Sequence, residues 1–159
     1  MTEPAGTRPG TRPGTRPGTL SWLANDEPHP SRRAQQAALA CAIAGDRQGW
    51  LDLWAPDCEI LDPVGPSLFD PDGVGHHGPE GIAHFWDVAI GPVARFDVEI
   101  RTSYASGDSS AQEGTFATTF ADGTRAEIDL VTVYRTDEEG RITSMRAYWE
   151  LDQVRLTAS

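Results

Sequence analysis

The sequence predicts one α+β domain, in which three N-terminal helices pack on a curved, mostly antiparallel sheet and enclose a cone-like cavity. Apolar residues at helical spacing are concentrated before residue 91, whereas four runs of alternating residues, separated by hairpin-type turns, follow residue 95. Five tryptophans among 159 residues favour a roomy aromatic interior. The length suits one domain with a tail and excludes two large domains.

The first 30 residues are predicted to be a disordered tail. They contain Thr-Arg-Pro-Gly repeats between Gly6 and Gly18, and this four-residue period is too short and too poor in apolar groups to build a core. Both a plain linker and a basic arm for an acidic partner fit this segment. The folded domain is predicted to span residues 31–155.

The first two helices are predicted from capping signals. Ser31 can cap an Ala-rich run, which Gly45 ends as a C-cap residue. Asp46 can cap a shorter second helix that continues to Trp54, and Pro56 then stops it.

The rest of the chain is predicted to hold one short strand, one helix and four long strands. The short strand, at residues 58–62, leads into a long loop rich in Pro, Gly and Asp at residues 63–78. Pro79 opens the third helix, in which apolar residues recur at helical spacing as far as Ile90. The four long strands lie at residues 96–104, 112–120, 125–135 and 142–151.

The composition excludes several kinds of partner and chemistry. The formal net charge is -11 at pH 7, and such a surface repels nucleic acid and anionic lipid. All 13 basic residues are Arg, so chemistry that needs a Lys is excluded. Cys41 and Cys58 form neither a redox motif nor a disulfide framework. Because no apolar run has the length of a membrane span and no signal peptide is evident, we predict a soluble, cytoplasmic protein.

Asp62 is the carboxylate with the clearest catalytic potential. It ends an apolar strand and precedes Pro63, which fixes the local backbone, so its side chain can face the cavity. Burial there would raise its pKa and would allow it to shuttle a proton on an apolar substrate. The spacing equally allows a turn residue in water, and both interpretations stay open.

Three segments carry a family resemblance. Ala-Gly-Asp at 44–46, Trp-Ala-Pro-Asp at 54–57 and Glu-Ile-Leu-Asp-Pro-Val-Gly at 59–65 closely resemble the bacterial ketosteroid isomerases in order and spacing. Residues 134–149 are similar to the last hairpin of that family, and the resemblance covers residues 34–152. It implies the cone-shaped NTF2-like (nuclear transport factor 2-like, also called SnoaL-like) fold, a cystatin-type α+β barrel that commonly forms a homodimer.

The resemblance also implies a mechanism. In that family an Asp base moves the proton, while a Tyr and a protonated Asp hydrogen-bond the dienolate oxygen. The base position falls on Asp62, but the Tyr position holds Ala38 and the second Asp position holds Thr132. Both usual oxyanion donors are therefore missing, with only the Thr132 hydroxyl as a weak substitute, and Tyr134 or Trp86 could supply a replacement donor.

Eight residues are predicted to contact a hydrophobic ligand. They are Trp54, Phe85, Trp86, Phe116, Thr132, Tyr134, Met145 and Trp149. No cofactor and no metal are expected, because His76, His77 and His84 match no standard metal signature. The loop at residues 66–77 is either a lid over the ligand or a solvated surface loop.

Three functions fit these features. The first is a cofactor-free, steroid Δ-isomerase-like enzyme that acts on a hydrophobic polycyclic ketone with Asp62 as base. The second is an epoxide hydrolase or polyketide cyclase, for which Asp97 or Glu99, on one face of the first long strand, would be a second acid. The third is a non-catalytic protein that binds a small apolar ligand.

Overall fold

The structure, a computed structural model, describes residues 18–159 of the chain. Its helices are α1 (Pro30–Ala44), α2 (Arg47–Leu51) and α3 (Gly78–Phe85), with a π-helical turn at Trp86–Ile90 and a 3-10 turn at Leu151–Gln153. Its strands are β1 (Leu20–Trp22), β2 (Trp54–Leu61), β3 (His76–His77), β4 (Arg95–Ser106), β5 (Ser109–Thr119), β6 (Arg125–Thr136), β7 (Ile142–Tyr148) and β8 (Arg155–Thr157). None of the helices in this part of the chain has the length and apolar character needed to cross a membrane.

The capping of α1 differs from the prediction at one end. The cap is His29 and not Ser31, because the helix already begins at Pro30, whose missing N–H costs nothing in a first turn. The His29 Nδ1 accepts from the backbone N–H of Ser31 at 3.2 Å. The Ser31 hydroxyl instead donates to the carbonyl of Asp108 at 2.6 Å and so ties α1 to the sheet. Gly45 ends the helix in the left-handed conformation, with φ at 71°, as predicted.

The second helix is shorter than predicted. Asp46 caps it as expected and accepts from the Gly49 N–H at 2.9 Å. The helix has only 5 residues, however, and the predicted stop at Pro56 is wrong because Pro56 lies inside β2. Pro56 is exposed, and the pairing of β2 with β7 shifts register between Trp54 and Glu59, so the missing N–H breaks no regular ladder.

The strands in the described part of the chain form one sheet with the order β1-β4-β5-β6-β7-β2-β3, and β8 pairs with β6. The four long strands β4 to β7 form the predicted antiparallel meander. β1 pairs with β4 and β2 pairs with β7 in parallel, which makes the sheet mixed. The last predicted strand ends at Tyr148 and not at Leu151, where the chain enters the 3-10 turn. β8 then extends the fold past the predicted end at residue 155.

Strand β1 lies in the segment that the sequence predicts to be tail. Leu20 pairs with Val98 of β4, and the Thr19 N–H donates to the Asp97 carboxylate at 2.9 Å. The predicted start of the folded domain at residue 31 is therefore too late. The Thr-Arg-Pro-Gly repeats before these residues lie outside the described part of the chain.

The largest group of buried side chains lies between the helices and the concave face of the sheet. At its centre Ile60, Ile82, Ile142 and Ala147 are at most 1% exposed. These residues come from β2, α3 and β7, so the core joins the short parallel strand β2 to the third helix and the meander. This packing holds the end of β2, and with it Asp62, at the border of the apolar interior.

Candidate active site

Asp62 directly follows β2 and is partly exposed. It lies two residues after the buried Ile60, so its side chain points to the same, concave face of the sheet. The indole Nε1 of Trp149 donates to its Oδ1 at 2.7 Å, and its Oδ2 has no hydrogen-bond partner among the described residues. Burial raises the pKa of Asp62 to about 6, although the hydrogen bond from Trp149 opposes this rise. The hydrogen bond to Trp149 and the raised pKa favour the interpretation of Asp62 as a cavity-facing carboxyl over that of a turn residue in water.

Tyr134 lies close to this carboxyl. It is on the concave face of β6 opposite Met145 of β7, and Met145 is in turn opposite Ile60 of β2. The Tyr134 side chain is buried, and burial together with the negative charge of Asp62 raises the pKa of its phenol well above the ordinary value. The phenol is therefore protonated at neutral pH and can donate a hydrogen bond to an oxygen near Asp62.

An aromatic cluster occupies the interior beside these groups. The ring of Trp50 lies 5.2 Å from that of Trp54, 5.3 Å from that of Trp86 and 6.4 Å from that of Phe85, measured between centroids. Of the other predicted ligand contacts, Tyr134 and Met145 are buried in the same cluster, and Phe116 and Trp149 are partly exposed at its edge. The structure thus brings the predicted residues together, but the part of the predicted cavity around Trp50 is packed core.

Two surface grooves lie at the two ends of β7, with volumes of about 570 Å³ and 550 Å³. The charged residues Asp57, Glu59 and Arg141 lie in the wall of the first groove. Trp149 lines the second groove together with Val64, and the other predicted ligand contacts line neither groove. Because Trp149 also binds Asp62, it connects the second groove to the carboxyl.

Thr132 belongs to a buried polar cluster with Gln35 and Gln112. Gln35 Nε2 donates to the Thr132 hydroxyl at 3.2 Å, and that hydroxyl donates to Gln112 Oε1 at 3.4 Å. All three side chains are at most 3% exposed. Ala38 is buried one helical turn after Gln35. The sequence analysis missed both glutamines, although the alternation along β5 places Gln112 on the same face as Phe116.

The predicted second acid is wrong for both candidates. Asp97 and Glu99 alternate with buried residues of β4, so they lie on the outer face of the sheet, away from Asp62. Asp97 pairs with Arg95 at 2.8 Å and with Arg125 at 3.1 Å, and Glu99 pairs with an arginine of its own strand at 3.1 Å. Although burial opposes it, the hydrogen bonds from these arginines lower the pKa of Asp97 well below its usual range. Because both carboxylates lie on the outer face of the sheet, neither is placed to act as a second acid beside Asp62.

The loop at residues 66–77, which the sequence predicts to be a lid or a surface loop, has one buried histidine and an exposed Leu68. His76 is buried and packs on the ring of Phe85, with the centroids 5.3 Å apart. His77 bonds to a carbonyl of its own loop at 2.6 Å. Leu68 is 77% exposed, so it is a surface side chain here and does not cover Asp62. Within residues 18–159 no three His, Cys, Asp or Glu side chains are grouped to hold a metal ion.

The comparison with protein families agrees with this fold. The model of the SnoaL-like domain matches residues 35–145, a range that includes Asp62, Thr132 and Tyr134. The chain belongs to the SnoaL-like family. Its NTF2-like fold, predicted from the resemblance to ketosteroid isomerases, is therefore confirmed. No curated protein matches the sequence of this SnoaL-like protein.

Several solved structures are similar to this SnoaL-like protein. Rv0760c from Mycobacterium tuberculosis is 36% identical, with a TM-score of 0.76 over 80% of this chain and 96% of its own. A second crystal structure of Rv0760c contains estradiol-17beta-hemisuccinate. The Δ5-3-ketosteroid isomerase from Mycobacterium sp. is 37% identical, with a TM-score of 0.76 over 80% of this chain and 98% of its own. A computationally designed 17-OHP binder is 34% identical, with a TM-score of 0.78 over 82% of this chain and 100% of its own.

The raised pKa of Asp62 has a consequence for stability. The pKa is about 6 in the folded SnoaL-like protein and 3.8 for the ordinary group, so Asp62 destabilises the fold progressively as the pH rises from about 4 to 6, and the full cost is present above pH 6. We expect Asp62→Asn to raise the free energy of unfolding by about 3 kcal/mol at pH 8 and to have little effect near pH 4, where the wild-type carboxyl is neutral in the folded protein. Urea unfolding at the two pH values measures this difference.

The matched control for this prediction is Asp57→Asn, because Asp57 is an exposed carboxylate of β2. Its effect on the free energy of unfolding should stay within about 0.5 kcal/mol at both pH values. An Asp62→Asn protein that is less stable than the wild type at pH 8 would show that the carboxylate contributes to the fold and is not strained by burial.

Proposed function

We propose that this SnoaL-like protein is a cofactor-free isomerase that moves a proton within a hydrophobic polycyclic ketone, with Asp62 as the general base. The state of the Asp62 carboxyl carries the proposal. Burial raises its pKa to about 6, and Trp149 holds one oxygen while the other accepts no bond among the described residues. Such a carboxyl is largely ionised at pH 7, yet it is basic enough to take a proton from carbon and to return it.

The proposed reaction consists of two proton transfers. Asp62 removes a proton from the carbon between the ketone and an isolated C=C bond, and the electron pair moves to the ketone oxygen to give a dienolate. The protonated carboxyl then returns the proton to the far carbon of the dienolate, which produces a conjugated enone. All atoms remain in the substrate or return to Asp62, so the reaction needs neither a redox partner nor a cofactor.

The dienolate oxygen needs a hydrogen-bond donor, and Tyr134 is the residue that we assign to it. Ala38 and Thr132 occupy the positions at which the ketosteroid isomerases have their two oxyanion donors. The Tyr134 phenol is near enough to Asp62 for the carboxylate charge to raise its pKa, and it keeps its proton at neutral pH. A buried donor of this kind stabilises the charge that develops on the oxygen during the first transfer.

The apolar residues around Asp62 are proposed to bind the rings of the substrate. Phe116 and Trp149 are partly exposed at the edge of the apolar cluster, whereas Trp54, Phe85 and Met145 are buried behind them. We place the entry of the ligand at the exposed edge, beside Asp62. The similar structures support a steroid-like ligand, since one is a ketosteroid isomerase and another was solved with a steroid ester.

The two other functions are less well supported by the site. An epoxide hydrolase or cyclase needs a second acid, but Asp97 and Glu99 lie in ion pairs on the outer face. The absence of the usual donors at Ala38 and Thr132 favours a non-catalytic binding protein. The pKa of Asp62 favours catalysis, because a purely binding site gains nothing from a carboxylate whose ionisation is opposed by burial. The homodimer and the cytoplasmic location stay predictions.

The test is the Δ5-to-Δ4 isomerisation of a 3-ketosteroid, followed by the absorbance of the conjugated enone. The proposal predicts saturable turnover by the wild type without any added cofactor or metal, and unchanged turnover in the presence of a chelator. Saturable binding of the steroid without turnover, at high protein concentration and pH 8, would instead identify the protein as a binding protein.

The hydrogen bond from Trp149 gives a further prediction for this assay. The indole N–H lowers the pKa of Asp62, so in Trp149→Phe the pKa of the base should rise further above its ordinary value. The midpoint of kcat/KM against pH is expected to move upward by about one unit. Because the base acts in its ionised form, activity falls at pH 6 and is largely retained at pH 8.

Trp22→Phe is the control, since the Trp22 indole donates to the carbonyl of Asn25, in the segment between β1 and α1. Its midpoint should equal that of the wild type. A midpoint in Trp149→Phe that does not move, with the activity lowered equally at every pH, would contradict a role of Trp149 in setting the ionisation of Asp62.

A further inference from the structure

Unsatisfied polar atoms are concentrated at one place on the concave face. Of the five buried side-chain atoms that lack a hydrogen-bond partner in the described part of the chain, three are Gln35 Oε1, Gln112 Nε2 and Ser110 Oγ. Ser110 and Gln112 lie on the same face of β5, and Gln35 is joined to Gln112 through Thr132. Their side chains are at most 2% exposed. Because buried polar atoms are nearly always satisfied, these three atoms need hydrogen-bond partners that the described residues do not supply.

The hydrogen bonds within the polar cluster define what such a partner must be. The Thr132 hydroxyl accepts from one glutamine amide and donates to the carbonyl of the other. Exchanging the oxygen and nitrogen of both amides reverses both bonds, yet one amide carbonyl and one amide NH₂ are always left over. A ketone oxygen can satisfy only the NH₂. A hydroxyl satisfies both, because it donates one hydrogen bond and accepts another.

The position of the polar cluster relates it to Asp62. Thr132 of β6 is opposite Ala147 of β7, and the Val64 N–H donates to the Ala147 carbonyl at 2.9 Å. Ala147 therefore lies between Thr132 and the segment that carries Asp62. Thr132 and this segment are separated by two strand spacings, or about 10 Å. Ala147 is small, so no side chain longer than a methyl group separates them along this row. Asp62 and the polar cluster therefore lie along one row of the sheet, with the fully buried Ala147 between them.

We infer that Gln35 and Gln112, joined by Thr132, form a recognition site for a hydroxyl group on the ligand. The inference rests on the proposed function only in taking the ligand to be the polycyclic compound on which Asp62 acts. It adds that this compound carries a hydroxyl, which donates to one glutamine carbonyl and accepts from the other glutamine amide. Specificity for the hydroxyl follows because a ligand without it leaves both buried groups unsatisfied.

The test is a set of binding measurements with saturated steroids that contain no C=C bond to isomerise. The probes are 5α-androstanes that carry a hydroxyl, a ketone or hydrogen at C3, and a matching set that varies C17, with binding followed by tryptophan fluorescence. At one of the two positions the hydroxyl compound should bind about tenfold more tightly than the deoxy compound, with the ketone between them. Gln35→Met and Gln112→Met should each remove most of this preference.

Gln48→Met is the matched control, because Gln48 is exposed on α2 and the change is chemically the same. Its preference should equal that of the wild type. If either glutamine variant folds poorly, Thr132→Val provides a second test. It removes the bridging hydroxyl at constant shape and should likewise remove the preference for the hydroxyl compound. Equal affinity of the wild type for the hydroxyl and deoxy compounds at both positions, or no binding of any probe, would overturn the inference and leave ordered water as the partner of these atoms.

The binding test of the hydroxyl site can fail or succeed independently of the isomerisation test of the proposed function. Asp62→Asn should keep the preference for the hydroxyl, because Asp62 is not part of the polar cluster. A wild type that shows this preference but does not isomerise the 3-ketosteroid contradicts the proposed function alone. Isomerisation without any preference among the probes contradicts the hydroxyl site alone.

Discussion

Asp62→Asn should lower kcat/KM for the isomerisation of a 3-ketosteroid by about 10³-fold. The amide of Asn cannot take a proton from carbon, whereas its carbonyl oxygen can still accept the hydrogen bond that Trp149 donates at 2.7 Å. The substitution therefore removes the base while it preserves the neighbouring contact. The loss should fall mainly on kcat, because the apolar residues that bind the rings are unchanged. The measurement is the rate of enone formation at pH 8.

The control for this variant is Asp57→Asn, which changes an exposed carboxylate of the same strand and should keep the wild-type rate. Unfolding cannot explain the expected loss, since Asp62→Asn is predicted to be the more stable protein at pH 8. Full activity in Asp62→Asn would show that another group moves the proton, and the proposed mechanism would be wrong.

Tyr134→Phe should lower kcat by about 10²-fold with little change in KM. The phenol hydroxyl is proposed to bind the oxygen on which negative charge develops, so its removal raises the energy of the dienolate more than that of the bound ketone. The ring itself remains in the core, where Tyr134 is 5% exposed. Steady-state kinetics with the 3-ketosteroid at pH 8 separate kcat from KM.

Tyr148→Phe serves as the comparison, because Tyr148 carries the same hydroxyl on an exposed position of β7. Its kinetics should match those of the wild type. If Tyr134→Phe also matched the wild type, the donor would have to be another group, and Trp86 and Thr132 are the remaining candidates from the sequence. Each could then be tested in the same assay with Trp86→Phe and Thr132→Val.

Much of the fold was predictable because its signals are local. Hairpin turns separate alternating runs, and Gly45 and Asp46 mark helix ends through their own backbone and side-chain bonds. The errors concern contacts between distant segments. β1 exists because residues near Leu20 pair with β4 some 78 positions later, and Pro56 lies in a strand because β7 provides the neighbour. No window of local sequence contains that information.

In the candidate site, too, the residues with local sequence signals were predictable and the contacts between distant segments were not. Asp62 could be identified from a strand that ends at an Asp-Pro pair and from the family resemblance. Its hydrogen bond to Trp149 joins residues 87 positions apart, so both residues could be predicted from the sequence but their contact could not. Gln35 was hidden on an Ala-rich helix, and Gln112 resembled any polar residue of a half-exposed strand. These two side chains are buried because α1 and β5 are covered by other parts of the fold, and only the tertiary structure specifies that packing.

The most direct measurement of the central claim is the dependence of kcat/KM on pH for the wild type with a 3-ketosteroid, between pH 4.5 and pH 8.5. The base acts as the carboxylate, so activity is expected to rise tenfold per pH unit at low pH and to level off above a midpoint near the Asp62 pKa of about 6. A midpoint near pH 4, or a rate that does not change with pH over this range, would contradict Asp62 with a raised pKa as the base.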